Sequence, residues 1–230
     1  MTTAVVEAGA SREKILEAAE SLFARRGYAA VGMREVAEVA GLGKSSLFHH
    51  FRSKAELYAA VVARILALCE ARLRTALSAG GNPLTRFDRW LDALIDTLAA
   101  HPTTARLLLR SLFEDDELTG ASEEEQRLDQ TLKRMFAAAG DLLREGGATG
   151  VFRPLDVAHT LQSLIGLTVY HFASGDFGAE MLGESPFSVE QVRKRKDEVR
   201  AILHGGLLAE RRAQPEPPAA NGSMAHDEYS

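Results

Sequence analysis

Apolar residues recur every three or four positions along almost the whole chain, and runs that alternate at every second position are nearly absent. Helices and no sheet are therefore expected. Ile15, Ala18, Ala19, Leu22 and Phe23 mark one face of a first helix. Ser11 is placed to cap it, and Gly27, after Arg25 and Arg26, is placed to stop it. A second, short helix over about Met33 to Val39 buries Val36 and Ala37. Gly41 turns the chain into a third over about Lys44 to Phe51, with Leu47 and Phe51 four apart on its inward face.

Ser53-x-x-Glu56 is a capping box that opens a long fourth helix carrying Leu57, Val61, Ile65, Leu68 and Leu73 towards Ser78. Pro83 suits the first turn of the next helix, which holds Trp90, Leu91, Leu94, Ile95 and Leu98 and ends before Pro102. A shorter helix covers about Thr103 to Phe113. Ser122-x-x-Glu125 opens another long one, which Gly146 and Gly147 are placed to end. Pro154 introduces a helix with Leu161, Ile165, Val169 and Phe172, and Ser188-x-x-Gln191 begins the last. Residues 213–230 are rich in Pro, Ala and polar residues without apolar period and read as a disordered tail. The pattern predicts an all-α chain of about nine helices: a small three-helix unit followed by a larger helical domain, with no internal repeat.

Composition narrows the class. Hydrophobic residues make up 46% of 230 and charged residues 26%, which suits a soluble globular protein with a sizeable core. No apolar run approaches the ~20 residues of a membrane span. Met1 to Ala10 has no basic start and no long apolar stretch, so no secretory signal is expected. Cys69 is the one cysteine, which excludes an intrachain disulfide and fits a reducing cytoplasm. The acidic run Glu114-Asp115-Asp116-Glu117 reads as a solvated loop, with a metal site the sharper and weaker alternative. His101, His159 and His171 are too scattered to suggest metal ligands, and no metal or cofactor is expected. No Ser/His/Asp or Cys/His arrangement stands out, so no catalytic residues are assigned.

The net charge of −5 is unevenly spread. Residues 1–55 hold eight basic and six acidic side chains, and the remainder nineteen and twenty-six. Between 24 and 54 the count is six against two, with His49 and His50 in addition. Basic character is thus concentrated around the two short helices, as a phosphate-contacting surface requires. Within that stretch Gly41-Leu42-Gly43-Lys44-Ser45 resembles the end of a nucleotide-binding loop. That loop needs a glycine where Glu38 stands and a strand where a helix is predicted. A helix-turn-helix over about 32–51 accounts for the same residues better. A lone helix fits the DNA major groove, and Lys44, Ser45, Ser46, His49 and His50 offer it donors and acceptors.

Residues 11–71 resemble the N-terminal DNA-binding domain of the tetracycline-repressor-type (TetR) family of bacterial transcription regulators. Three fragments carry the resemblance: Ile15-Leu16-x-Ala18-Ala19-x-x-Leu22-Phe23-x-x-x-Gly27-Tyr28, Arg34-Glu35-Val36-Ala37-x-x-Ala40-Gly41, and Ser46-Leu47-Phe48-x-His50-Phe51-x-Ser53-Lys54-x-x-Leu57. The resemblance implies that Lys44, Ser45 and His49 face base edges and that Ser46, His50 and Lys54 contact phosphates, with Arg34 and Phe48 completing the DNA-contact set. Lys54 also stands in the first turn of a helix, where free backbone N–H groups attract phosphate. The chain departs from the family at Phe48, where Tyr is usual, and at Gly32 and Gly43, where Thr or Ser usually caps.

Beyond residue 71 only the architecture is shared: a helical effector-binding and dimerisation domain over 72–212. Val192, Val199, Ile202, Leu203 and Gly206 form a stripe on the last helix, and Gly166 interrupts an otherwise good helix, where close approach of another helix would explain it. The resemblance implies a homodimer through the last two long helices. Its operator would be a palindrome with half-sites at least one turn, about 34–36 Å, apart. Trp90, Leu94, Leu98, Leu108, Phe113, Met135, Phe136, His159, Leu164 and Phe172 are the candidates to line a pocket for a mostly apolar small molecule. A repressor released by its effector is the expectation. An activator of the same fold, a helical enzyme and an interaction module without a specific operator are the alternatives.

Overall fold

A computed structural model of the chain describes residues 2–113 and 122–209, with side chains over 9–109 and 122–209. The acidic run at 114–117, the side chain of Phe113 and the tail at 213–230 lie outside the described residues. Among those described there are ten helices: α1 (Thr2–Arg26), α2 (Met33–Val39), α3 (Lys44–His50), α4 (Lys54–Ser78), α5 (Pro83–Ala100), α6 (Pro102–Phe113), α7 (Glu123–Ala148), α8 (Val157–Ala173), α9 (Gly175–Leu182) and α10 (Val189–Leu207). An isolated bridge between Phe152 and Leu208 is the sole extended pairing among them.

Side-chain caps set the helix starts. Ser53, Asn82, Ser122, Asp156 and Ser188 each accept a hydrogen bond from the backbone N–H three residues on, filling one of the orphan donors of a helix N-terminus. Glu56 reaches back to the N–H of Arg52 at 2.7 Å. In the third box Gln191 instead donates to Glu184 at 2.6 Å.

Several sequence expectations are corrected. Ser11 does not begin α1, which is already helical from Thr2. Pro154 does not open α8; Asp156 caps it. Gly146 and Gly147 lie inside α7, which runs to Ala148 before Gly150 takes φ 72°. Gly146 is there for contact, since a Cβ would overlap the ring of Phe152. The tenth helix is α9, eight residues whose stop is Gly183 at φ 75°. The proposed α10 stripe splits: Val199 and Leu203 are buried against their own chain, whereas Ile202 is 54% exposed. Gly166 approaches no other helix of its own chain, for nothing lies within 4 Å of where its Cβ would be.

Two apolar cores result. The first joins α1 to α4 around Phe23, Leu47, Phe51 and Leu57, and takes in Leu107 of α6 and Leu128 of α7. The second lies among α4, α5, α7, α8 and α10 around Phe87, Leu91, Leu143, Phe152 and Phe172. Antiparallel α5 and α10 are also laced by Asp88–His204, Asp92–Arg200 and Asp96–Lys196, at 2.7, 2.6 and 2.6 Å. Both members of each pair recur at helical spacing, so one face meets one face.

Candidate nucleic-acid interface

The α2–α3 unit is held from within. Val36, Ala37 and Leu47 are buried, and Gly41 takes φ 68°, a conformation open to glycine at little cost. The turn closes through Gly41 N–H to Glu38 O at 3.1 Å and Leu42 N–H to Ala37 O at 2.9 Å. Gly32 and Gly43 are the N-caps of α2 and α3, with no side-chain cap bond. Phe51, 1% exposed, ends α3 by returning its N–H to Leu47 O at 2.9 Å.

With the inward face fixed, Lys44, Ser45, Phe48 and His49 stand exposed on the opposite face of α3, while Ser46 and His50 are half-buried. Lys44 Nζ lies 5.6 Å over the Phe48 ring, so the aromatic steadies an ammonium that could reach a base edge. Arg34 is exposed on α2. Burial, with His49 and Arg12 beside it, holds His50 below the usual imidazole range; at neutral pH it is an uncharged donor or acceptor. Lys54 donates to Tyr28 O at 3.0 Å and stands 4.2 Å over the Tyr28 ring. It thus ties the start of α4 to the end of α1, with three donors in all to share between that carbonyl and any other acceptor. Arg26 pairs with Glu35 and donates to Ala30 O at 3.0 Å, which takes one of the six basic residues of this stretch out of service for DNA.

A second feature lies below. An apolar cavity of about 90 Å³ is enclosed by α4, α5, α6, α7 and α8. Six of the ten pocket candidates meet there: Trp90, Leu94, Leu108, Met135, Phe136 and Leu164. Leu98 and Phe172 are fully buried away from it, and His159 is exposed on the first turn of α8. Sequence reasoning missed Leu66 and Leu73, through which α4 itself forms part of the wall, and Thr168, the sole polar side chain of the lining. The apolar period of α4 was a usable signal. Thr168 offered none, and its hydroxyl is already committed to Leu164 O at 2.7 Å.

Similarity to known proteins bears on both features. The family described as bacterial regulatory proteins, tetR family, matches residues 15–61, and the tetracyclin repressor-like C-terminal domain matches 83–202. The transcriptional repressor KstR2 of Mycobacterium tuberculosis (strain ATCC 25618 / H37Rv) is 30% identical over 148 residues, 64% of this chain and 72% of that protein. The transcriptional regulator RutR of Escherichia coli (strain K12) is 27% identical over 172 residues, 75% and 77% of the two chains. The solved structure of the ketosteroid regulator KstR2 superposes with a TM-score of 0.67 at 26% identity, covering 86% of this chain and 95% of that one. AibR, in complex with isovaleryl coenzyme A and operator DNA, shares the fold with a TM-score of 0.67 at 20% identity, over 84% and 97%.

A helix-turn-helix with a polar outer face, set on a helical domain of this topology and these similarities, defines a DNA-binding transcription regulator rather than an enzyme. The chain belongs to the TetR family.

Proposed function

We propose that the protein is a homodimeric repressor that a small apolar molecule releases from a palindromic operator. One observation carries the reading most directly. A single helix, α4, begins beside the DNA-facing residues and lines the cavity with Leu66 and Leu73. A ligand in the cavity presses on the same rod that carries the recognition helix. At about 90 Å³ the cavity is well below the ~300–1,000 Å³ of an occupied ligand site. Occupation must therefore move its walls, and a change of geometry is what a ligand needs in order to prefer one state over another. A bias of about 1–3 kcal/mol is the usual scale for such coupling. The near-absence of polar lining favours an effector bound through apolar area.

The dimer reading is supported by the outer faces of α8 to α10. Tyr170, Phe177, Met181 and Ile202 are 54%, 59%, 70% and 54% exposed. Gly166 lies open among them, as a close helix–helix contact between subunits would use it. Lys44, Ser45 and His49 are assigned to base edges and Ser46, His50 and Lys54 to phosphates, with Arg34 and Phe48 completing the contact set. No described helix is long and apolar enough to cross a membrane, and the nucleoid-containing cytoplasm is the compartment this function requires. The relatives' printed roles, a repressor for KstR2 and operator DNA with an acyl-coenzyme A for AibR, agree with repression and a small-molecule effector.

The deciding experiment selects bound fragments from the sheared source genome at moderate salt with excess competitor. One or a few palindromic sites are expected. Uniform recovery, or none, would remove the reading. Derepression, rather than loss of transcription, on deletion of the gene separates a repressor from an activator.

A further inference from the structure

Arg12 makes contacts that none of the roles above uses. It stands on α1, and its guanidinium lies 5.2 Å from the centre of the Phe51 ring. Phe51 ends the recognition helix and fills the core beneath it. The same guanidinium donates to Glu124 at 2.7 Å. Glu124 belongs to the first turn of α7, and its side chain is only 14% exposed. Glu124 also accepts from Arg127 at 3.1 Å, which fixes its carboxylate from the α7 side. One side chain therefore touches both the end of the DNA-reading helix and the start of a helix of the second domain.

The far end of that contact leads to the cavity. Two to four turns along α7 from Glu124 stand Leu132, Met135, Phe136 and Ala139, all of them cavity wall. Between them Leu128 is buried in the first core. An α-helix is stiff over this length, about 1.5 Å per residue, so a displacement of the wall residues is delivered to Glu124 as a rotation or shift of its whole first turn.

We infer that the Arg12–Glu124 pair is a strut that sets the tilt of α3 from α7, a second link between cavity and recognition helix beside α4. Arg12 and Glu124 are positioning residues. The guanidinium carbon lies over the Phe51 ring while one of its terminal N–H groups donates to the carboxylate, two contacts that a lysine's single ammonium is poorly shaped to make together. The pair is assigned to the operator-binding arrangement, and in this the inference rests on the repressor reading above.

The test uses charge to separate positioning from general electrostatics. Glu124→Gln deletes a negative charge, and on field grounds alone the loss would tighten binding to any DNA. The strut demands the opposite on the operator. Full-length wild type, Glu124→Gln, Arg12→Met and the double variant are titrated by fluorescence anisotropy against an operator duplex taken from the genomic selection and against a scrambled duplex. Glu124→Gln is expected to weaken operator binding by about tenfold, towards the lower end of the usual coupling range, and to leave the scrambled duplex unchanged or slightly tighter. The double variant is expected to bind the operator no worse than Arg12→Met alone, because the two act as one unit. Operator binding by Glu124→Gln at or above the wild-type level overturns the inference, as do strictly additive losses in the double variant. A wild type that does not distinguish the two duplexes fails at the earlier step: the regulator reading falls, and the strut with it.

Discussion

The two apolar cores are built to different standards. Around the recognition helix, Phe23, Val36, Leu47 and Leu57 are completely buried and Phe51 nearly so. Tyr58 meets Phe23 and Tyr28 edge-on, each at 5.2 Å between ring centres, and those two rings stack on each other at 6.0 Å. Around the cavity the side chains are as apolar but leave a void between them, and Leu94, Leu161 and Ile165 remain only partly buried. A surface that must match DNA has to be held in one shape, because a reading side chain displaced by an ångström loses its hydrogen bonds. A domain that must answer a ligand has to keep a second arrangement within reach, and unfilled volume lowers the difference between the two. Tyr58 joins the regions, donating to Leu107 O of α6 at 3.2 Å; the next residue, Leu108, is cavity wall.

The contrast can be broken first by equal truncations. Leu47→Ala in the dense core is expected to cost about 3–5 kcal/mol, whereas Leu94→Ala at the cavity should fall near 2 kcal/mol, since little new contact is lost where atoms already face a void. Urea titrations of the two variants settle the order. Equal losses would mean that the cavity closes up in solution. Gly146→Ala should cost about 1–3 kcal/mol by overpacking against Phe152, read by the same titration. In the opposite direction, Ala139→Leu puts three carbons into the cavity and should raise stability by about 1 kcal/mol while abolishing the response to any effector that relieves repression.

The smallest effect should be a pH dependence. Burial, and then the neighbouring Arg195, pushes the His171 imidazole down to about 4 from an ordinary 6.5. Between those values the unfolded chain binds more protons than the folded one, so stability is full above about pH 6.5 and falls as pH drops towards 4. His171→Phe should flatten that slope. His171 is partly buried and not fully shielded from solvent screening, so the slope is modest. An unchanged slope would place the acid sensitivity elsewhere.

Much of this was legible in the sequence, and for identifiable reasons. Capping serines, helix-stopping Gly27 and the turn at Gly41 are local signals, and the α2 and α3 boundaries follow from them. Glycine misled at Gly146 because its reason is a ring six residues on, and Asp156 was overlooked because the nearby Pro154 looked like the stronger start. The exposed face of α3 that carries Lys44, Ser45 and His49 was readable as a departure from an ordinary solvated face. The cavity was half-readable, since an apolar side chain beside a hole and one beside another side chain have the same sequence signature. Arg12 could not have been found at all. Its two contacts cross 39 and 112 residues of chain, and nothing near position 12 announces them.

The lone thiol has a use of its own. Cys69 lies in α4 at 2% exposure, and burial raises its pKa to about 11. Thiolate is the reacting form, so a thiol reagent finds almost nothing to attack while the helix stays packed. Modification then waits for the domain to open and proceeds at the rate of opening when the reagent is in excess. The chain carries a single-site clock in the helix that joins reading to sensing, and any ligand that loosens or tightens that helix will change how fast it runs.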